Sequence, residues 1–283
     1  MAMTGSLGHQ AGHRCGPFET KEGAGGAYGR LADALLWSAL ELSVLSRLPP
    51  DFTFLNIGGG EGRWTHSIAT RWPDSTGVLY GVPGGRVELA EARATAHGYA
   101  GRVQHLRGEV GDVADRLTGR TFDLVFTTHH LLGFVADPEQ VIGALAGLLA
   151  ADGLMVSFLP SRWHAAFGDL CRGDVEGAER SLTGREWAAS EAPYTHLFTP
   201  GEIRAMHTSA GMNVEVLTGF PSLVHPHGAG GDTSVVPVEE LLSDEAVFRR
   251  VLSMESELLI DPDAGARGAN FLVAASHTDA RPR

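Results

Sequence analysis

The sequence is poor in the residue types that several kinds of chemistry require. Lys21 is the single lysine among 22 basic residues, so Schiff-base chemistry on a core lysine is excluded. The two cysteines, Cys15 and Cys171, are too few for a disulfide framework or a cysteine-ligated zinc site. The longest apolar runs, such as residues 145–149, are far shorter than the ~20 residues of a membrane helix. The first 16 residues lack the apolar core of a signal peptide. We therefore expect a cytoplasmic protein with no membrane partner.

Clustered positive charge is also missing. The formal net charge is −12 over 283 residues, and no Lys/Arg stripe is visible. Because binding to a phosphate backbone needs such a stripe, we expect no nucleic-acid partner and favour a small-molecule substrate. The oligomeric state is not specified by the sequence, and a homodimer is the candidate assembly.

Apolar runs alternate with helical patterns through the middle of the chain. This alternation predicts an α/β fold, with a mostly parallel Rossmann-like sheet and helices on both faces. The predicted strands are 52–57, 77–82, 102–107, 122–127, 154–159, 213–218 and 270–276. The predicted helices are 27–48, 64–72, 86–97, 137–150, one that begins at 199–200, and 238–259.

We expect three regions along the chain. Residues 1–25 are Gly/His-rich and predict a flexible tail, and residues 26–283 predict a single domain. Within that domain the alternation breaks at 161–198. A lid over the ligand crevice explains this break, and an extra packing layer is the alternative.

The most specific motif is the glycine-rich segment 54–63, Phe-Leu-Asn-Ile-Gly-Gly-Gly-Glu-Gly-Arg, which joins the first strand to the next helix. Glycines here let the backbone approach a ligand beside the free N–H groups of a helix start. The spacing differs from that of a dinucleotide fingerprint, because Arg63 stands where the third glycine belongs. No Gly-Lys-Ser/Thr follows, which excludes a P-loop.

This segment resembles the glycine loop of the class I S-adenosylmethionine (SAM)-dependent methyltransferases, in their small-molecule type. The motif Phe-Asp-Leu-Val-Phe-Thr-Thr-His at 122–129 and the closing strand at 268–274 resemble the same family. The resemblance implies a seven-stranded sheet whose last strand is antiparallel, with SAM as the cofactor. The cofactor-binding residues that it implies are Arg30, Asn56, Gly58, Gly59, Gly60, Gly62, Pro83, Glu109, Val110 and Thr128.

Two positions depart from the family pattern. Asn56 stands where an acid usually holds the cofactor's ammonium group, and Pro83 stands where an acid usually holds the ribose hydroxyls. Losing such a bond costs about 1–3 kcal/mol. Glu61 and Glu88 are candidates to replace the missing ribose acid. The methylating activity is therefore an expectation with open alternatives, namely weak, altered or lost cofactor binding.

The acceptor side of the site is expected beyond the fourth strand and in the lid. His129 and His130 are the candidate bases because histidine titrates near neutral pH, and His196 is a third candidate. Tyr28, Trp163 and Tyr194 are candidate substrate-binding residues, although helix or core packing explains aromatic residues equally well. Methyl transfer needs no metal, and His225-Pro-His227 is interpreted as a loop because no third ligand is suitably spaced.

These observations favour an enzyme that methylates an O, N or C atom of a small organic molecule, such as a specialised metabolite. A methyltransferase-fold enzyme that carries out cyclisation, rearrangement or decarboxylation is the first alternative. A non-catalytic subunit that keeps the fold is the second.

Overall fold

A central β-sheet organises the computed structural model, which describes residues 26–82, 86–127, 130–184, 196–225 and 236–280. The predicted tail 1–25 lies outside these residues. The strands are β1 (Thr53–Ile57), β2 (Thr76–Gly81), β3 (Val103–Arg107), β4 (Phe122–Thr127), β5 (Leu149–Pro160), β6 (Met212–Phe220) and β7 (Asn270–His277).

The strand order is β3-β2-β1-β4-β5-β7-β6. Neighbouring strands among the first five are parallel, whereas β7 is antiparallel to both β5 and β6. This confirms the predicted fold class, including the antiparallel last strand.

Helices cover both faces of the sheet. The helices are α1 (Ala27–Ser43), α2 (Arg63–Arg71), α3 (Val87–Ala96), α4 (Val113–Arg116), α5 (Leu131–Phe134), α6 (Pro138–Ala146), α7 (Arg162–Cys171), α8 (Val175–Thr183), α9 (Pro200–Ser209), α10 (Val238–Leu241), α11 (Glu245–Leu258) and α12 (Pro262–Gly265). Residues of α1, α2, α3 and α11 share one apolar core with the sheet, and residues of α4, α5, α6 and α9 share the other. None of the helices in the described residues is long and apolar enough to cross a membrane.

Three predicted helices end differently in the structure. Helix α1 ends at Ser43 instead of residue 48, and a short 3-10 helix follows at Leu45–Arg47. Helix α6 stops at Ala146 instead of residue 150, because Leu149 already pairs with Phe122 as the first residue of β5. The predicted helix 238–259 is divided into α10 and α11. The side chain of Asp244 accepts hydrogen bonds from the backbone N–H groups of Ala246 and Val247, which starts a new helix.

The register brings several strand ends to one edge of the sheet. Ile57 and Ser157 are both paired with Thr127, and Asn270 is paired with both Pro160 and Phe220. The carboxyl ends of β1, β4, β5 and β6 therefore meet the start of β7. This edge is where parallel α/β sheets bind ligands.

The predicted lid contains two helices that follow β5. Ser161 caps α7 by accepting a hydrogen bond from His164 N, and Asp174 caps α8 in the same way. The buried Asp169 accepts a 2.9 Å hydrogen bond from Ser181 Oγ, which ties α7 to α8. The helices thus form a folded hairpin beside the carboxyl edge, and closure of this segment as a lid stays a prediction.

Candidate functional site

The glycine loop after β1 has a backbone shape that requires glycine. Gly58, Gly60 and Gly62 have φ angles of 75°, 49° and 73°, a region that L side chains rarely adopt. The N–H of Gly62 donates to the carbonyl of Gly59 over 2.7 Å, closing a tight turn. Gly62 then forms the N-cap of α2. At these three glycines the loop therefore presents backbone without a Cβ to the carboxyl edge.

Asn56 lies directly beneath this loop. It is fully buried, and its Nδ2 donates to Thr65 Oγ1 over 2.8 Å. A Cβ at Gly59 would lie 2.5 Å from the same Nδ2, so the Asn56 side chain requires glycine there. Within the described residues, Asn56 Oδ1 accepts no hydrogen bond. A buried orphan acceptor costs about 1–3 kcal/mol, which makes this oxygen a ready partner for a ligand donor.

The end of β3 is held in place by a tyrosine on β2. Tyr80 Oη donates to the backbone carbonyl of Glu109 over 3.2 Å. Burial raises the pKa of Tyr80, so the phenol stays protonated. A Cβ at Gly108 would lie 2.1 Å from Tyr80 Oη, so glycine is required there as well. The Glu109 carboxyl is exposed, and Val110 beside it is half-buried.

The two acids considered as replacements at Pro83 are already paired. Glu61 Oε1 lies 2.5 Å from Arg86 Nη1, and Glu88 Oε1 lies 2.6 Å from Arg107 Nη1. Pro83 itself lies outside the described residues. Neither carboxylate is therefore presented as a free acceptor for a ribose.

His130 occupies an unusual position after β4. It has a φ of 57° although it is not glycine, and only 3% of it is exposed. Its ring stacks on Phe158 with the centroids 4.8 Å apart. A strained backbone that persists in a well-packed setting is typical of functional sites.

A buried carboxylate organises the loop that follows β6. Glu255 on α11 is 1% exposed, and its two oxygens accept hydrogen bonds from three successive backbone N–H groups at 2.8–2.9 Å. These N–H groups belong to Ser222, Leu223 and Val224. The loop is thereby fixed at the carboxyl edge just before His225.

Several solved structures with a similar fold are methyltransferases. A SAM-dependent methyltransferase from Mesorhizobium loti matches 87% of this chain and 99% of its own, with 18% identity and a TM-score of 0.56. A proposed sarcosine dimethylglycine methyltransferase from Galdieria sulphuraria matches 87% and 86%, with 14% identity and a TM-score of 0.54. The chain has the fold of the class I SAM-dependent methyltransferases. A third methyltransferase-fold protein, the plantazolicin methyltransferase, was solved with SAH (S-adenosylhomocysteine) and has a TM-score of 0.50 and 11% identity.

Curated sequence relatives of this methyltransferase-fold chain act on RNA. The tRNA 5-carboxymethoxyuridine methyltransferase of Escherichia coli K12 is 28% identical over 127 residues, or 45% of this chain. The chain spans about half the length of the curated relatives that it matches, 47% in this case. No protein-family model matches the chain.

The methyltransferase fold distributes the predicted residues unevenly. The predicted residues that lie at the carboxyl edge are Asn56, Gly58, Gly59, Gly60, Gly62, Glu109, Val110 and His130. His196 lies beside the α5–α6 connection, where its Nε2 is 3.1 Å from the carbonyl of Ala136. Pro83, Thr128, His129 and Tyr194 lie outside the described residues, so their predicted roles stay predictions.

Of three further predicted residues, two have structural partners and the third is exposed. Tyr28 is 5% exposed in the core, where burial and the Glu255 charge raise its pKa. Arg30 lies 4.5 Å over the Phe248 ring and 3.7 Å from Glu245. Trp163 on α7 is 46% exposed. The proposed contacts of these side chains with cofactor or substrate stay predictions.

Sequence reasoning missed Glu255 and Asn270 and assigned His225 to an ordinary loop. Glu255 lies within an amphipathic helix and matches no motif, and Asn270 begins the closing strand, where nothing in the sequence indicates a role for its side chain. Within the described residues, no three His, Cys, Asp or Glu side chains are grouped to hold a metal ion.

Proposed function

We propose that the protein is a SAM-dependent methyltransferase that acts on a small organic molecule. The observation that supports this most directly is the left-handed glycine turn 58–62 above the orphan Oδ1 of Asn56. In a sheet of this order, such a turn offers backbone N–H groups and a buried acceptor to a ligand at the carboxyl edge.

The residues present fit SAM at the methionine end. Asn56 Oδ1 is the proposed hydrogen-bond acceptor for the ammonium group. The Asn56 side chain also supports the glycine loop from beneath. Glu109, held by Tyr80, is the acid for the adenine amino group, and Val110 N–H lies next to it in the chain. When bound, SAM supplies a methyl group activated by a positively charged sulfur.

The chain's own contribution is then positioning and proton removal. The glycine turn and α2 orient the cofactor. His130, fixed by its stacking on Phe158, is the proposed base for the acceptor's proton. Its burial keeps it away from bulk water.

The proposed acceptor is a small molecule because the chain carries a net charge of −12, which opposes association with RNA. The curated relatives make tRNA methylation the competing activity. We further propose that the protein is cytoplasmic and forms a homodimer.

Isothermal titration calorimetry of the full chain with SAH, and with NADH as a control, tests the cofactor assignment. We expect micromolar SAH binding and no heat with NADH. If SAH does not bind, the non-methylating enzyme or the non-catalytic subunit replaces this proposal.

A methyl-transfer assay with radiolabelled SAM separates the two acceptor classes. We expect label in small-molecule extracts and none in bulk tRNA. Label in tRNA at low salt would contradict the small-molecule assignment.

A further inference from the structure

Orphan polar atoms recur along one face of the sheet at its carboxyl edge. Asn56 is two residues from Phe54, and Asn270 is two residues from Leu272; both apolar residues belong to the core under α1 and α11. Because side chains two apart in a strand share a face, the two asparagines face the same side. Asn56 marks the cofactor end of this face, and Asn270 lies three strands away along the sheet.

Asn270 is buried and only half satisfied. It is 1% exposed, and its Nδ2 donates to the carbonyl of Phe220 over 3.4 Å. This contact fixes which end of the amide is oxygen. Its Oδ1 accepts no hydrogen bond from any described residue. The cost of a buried orphan acceptor is relieved when a ligand donates to it.

His225 presents a second orphan acceptor near the same edge. Its ring is 5.2 Å from that of His164 and 5.1 Å from that of Phe167, measured between centroids. In the described part of the chain, its Nδ1 is buried without a hydrogen-bond partner. The rings from α7 and from the β6 loop form one aromatic wall that suits a flat molecule.

Burial is the main reason why the His225 ring is neutral at neutral pH. Burial lowers its pKa, the Glu255 carboxylate opposes this shift, and the Arg267 guanidinium adds to it. His164 faces it from α7. A neutral ring retains one nitrogen lone pair, so it accepts a hydrogen bond.

Glu255 makes this arrangement rigid. Its three backbone hydrogen bonds hold residues 222–224, so the position of His225 does not depend on a free loop. Phe158 stacks between His130 and Phe220, with centroid distances of 4.8 and 6.0 Å. A continuous row of rings thus links the proposed base to the β6 loop that carries His225.

We propose that Asn270 and His225 form the acceptor subsite, which binds a planar molecule bearing two neighbouring hydroxyl donors. One hydroxyl donates to Asn270 Oδ1 and the other to His225 Nδ1, while His164 and Phe167 contact the ring. This inference rests on the proposed methyltransferase function, since it identifies the class of molecule that is methylated.

Binding of 4-nitrocatechol to the full chain, followed by its visible absorbance, tests the subsite. We expect 4-nitrocatechol to bind at least tenfold more tightly than 4-nitroanisole, which has no hydroxyl group. The His225→Phe variant keeps an aromatic ring but loses both nitrogens, and we expect about tenfold weaker 4-nitrocatechol binding. His97 is an exposed histidine at the C-terminal end of α3. The His97→Phe variant is therefore the matched control and should bind 4-nitrocatechol like the wild type.

Asn270→Leu provides a second variant of similar volume, and it should also weaken 4-nitrocatechol binding about tenfold. Equal affinity of the wild type for the two probes, no detectable 4-nitrocatechol binding, or twofold or smaller changes in both variants would overturn the subsite. SAH titrations of the same samples separate the two proposals. SAH binding without 4-nitrocatechol binding contradicts only the subsite, whereas the reverse contradicts only the cofactor assignment.

Discussion

At the glycine loop, single atoms decide whether the backbone can take its shape. Gly62→Ala places a Cβ 2.7 Å from Ala90 Cβ at a φ of 73°. We expect a loss of about 1–3 kcal/mol of unfolding free energy and at least tenfold weaker SAH binding. Urea unfolding and calorimetry measure both effects. Gly201→Ala, in the first turn of α9 with nothing within 4 Å of the new Cβ, is the control. Equal effects of the two substitutions would show that the loop shape is not required.

Asn56 is the residue where a restored charge has the clearest expected effect. Asn56→Asp supplies a carboxylate beneath the loop, and charge-assisted hydrogen bonds are roughly twice as strong as neutral ones. We expect SAH to bind about tenfold more tightly by calorimetry. Asn213→Asp adds the same charge at an exposed position of β6 and should leave the affinity unchanged. Unchanged or weaker binding by Asn56→Asp would place the ammonium group elsewhere.

The titration of His225 reports on its surroundings. Because burial lowers its pKa and the Glu255 charge opposes that shift, we expect it to stay neutral below the ordinary histidine value of about 6.5. Glu255→Gln removes the opposing charge, so the pKa should fall further. NMR titration of labelled histidine rings measures this, with His225→Phe assigning the signal. A higher pKa in Glu255→Gln would contradict the described effect of the Glu255 charge on His225.

For single residues, the sequence predicts the glycines of the loop far better than it predicts the polar side chains of the site. The motif at 54–63 anticipates a tight backbone turn because each glycine is a local requirement. Asn270 is separated from Asn56 by more than 200 residues in sequence. Its proximity to the carboxyl edge arises only from pairing of β7 with β5 and β6.

The elements themselves were largely predictable, because apolar periodicity is a local property. All seven strands were anticipated, and β4 has the predicted bounds of 122–127. The errors lie at helix ends, where competition from strand pairing at Leu149 and capping by Asp244 decide the boundary. Neither the strand pairing nor the helix cap can be predicted from hydrophobic periodicity.

One ion pair connects the start of the predicted lid to α9. Arg162 Nη2 lies 2.6 Å from Glu202 Oε2 and donates to the carbonyl of Leu197 over 2.9 Å. Burial alone would raise the pKa of Glu202, but hydrogen bonds from Arg162 and Thr199 lower it overall. The carboxylate's contribution to stability is therefore present above its unfolded pKa and is lost as the pH falls through the folded value.

We expect Arg162→Met to lower the unfolding free energy by about 1–3 kcal/mol at neutral pH. The difference from the wild type should shrink as the pH falls below the ordinary glutamate pKa of about 4.3. Urea unfolding at several pH values measures it. Arg249→Met removes an exposed pair with Glu245 on α11 and should change stability by only ~0.5 kcal/mol. A pH-independent difference would contradict the role of the pair.

The whole molecule explains why a site can exist without a sequence motif at each residue. The order β1-β4-β5-β7-β6 places Asn56, His130, Phe158, Asn270 and the loop before His225 along one edge. Helices α1 and α11 cover the face on which the two asparagines lie. The cofactor loop and the proposed acceptor subsite therefore lie along the same edge of the sheet.

A crystal structure of the full chain grown with excess SAH is the decisive test of cofactor binding at the glycine turn. We expect the amino-acid portion of SAH over residues 58–62, with Asn56 Oδ1 satisfied and the thioether sulfur turned towards His130. SAH bound at any other edge of the sheet, or side chains filling the space above the glycine turn, would contradict the account.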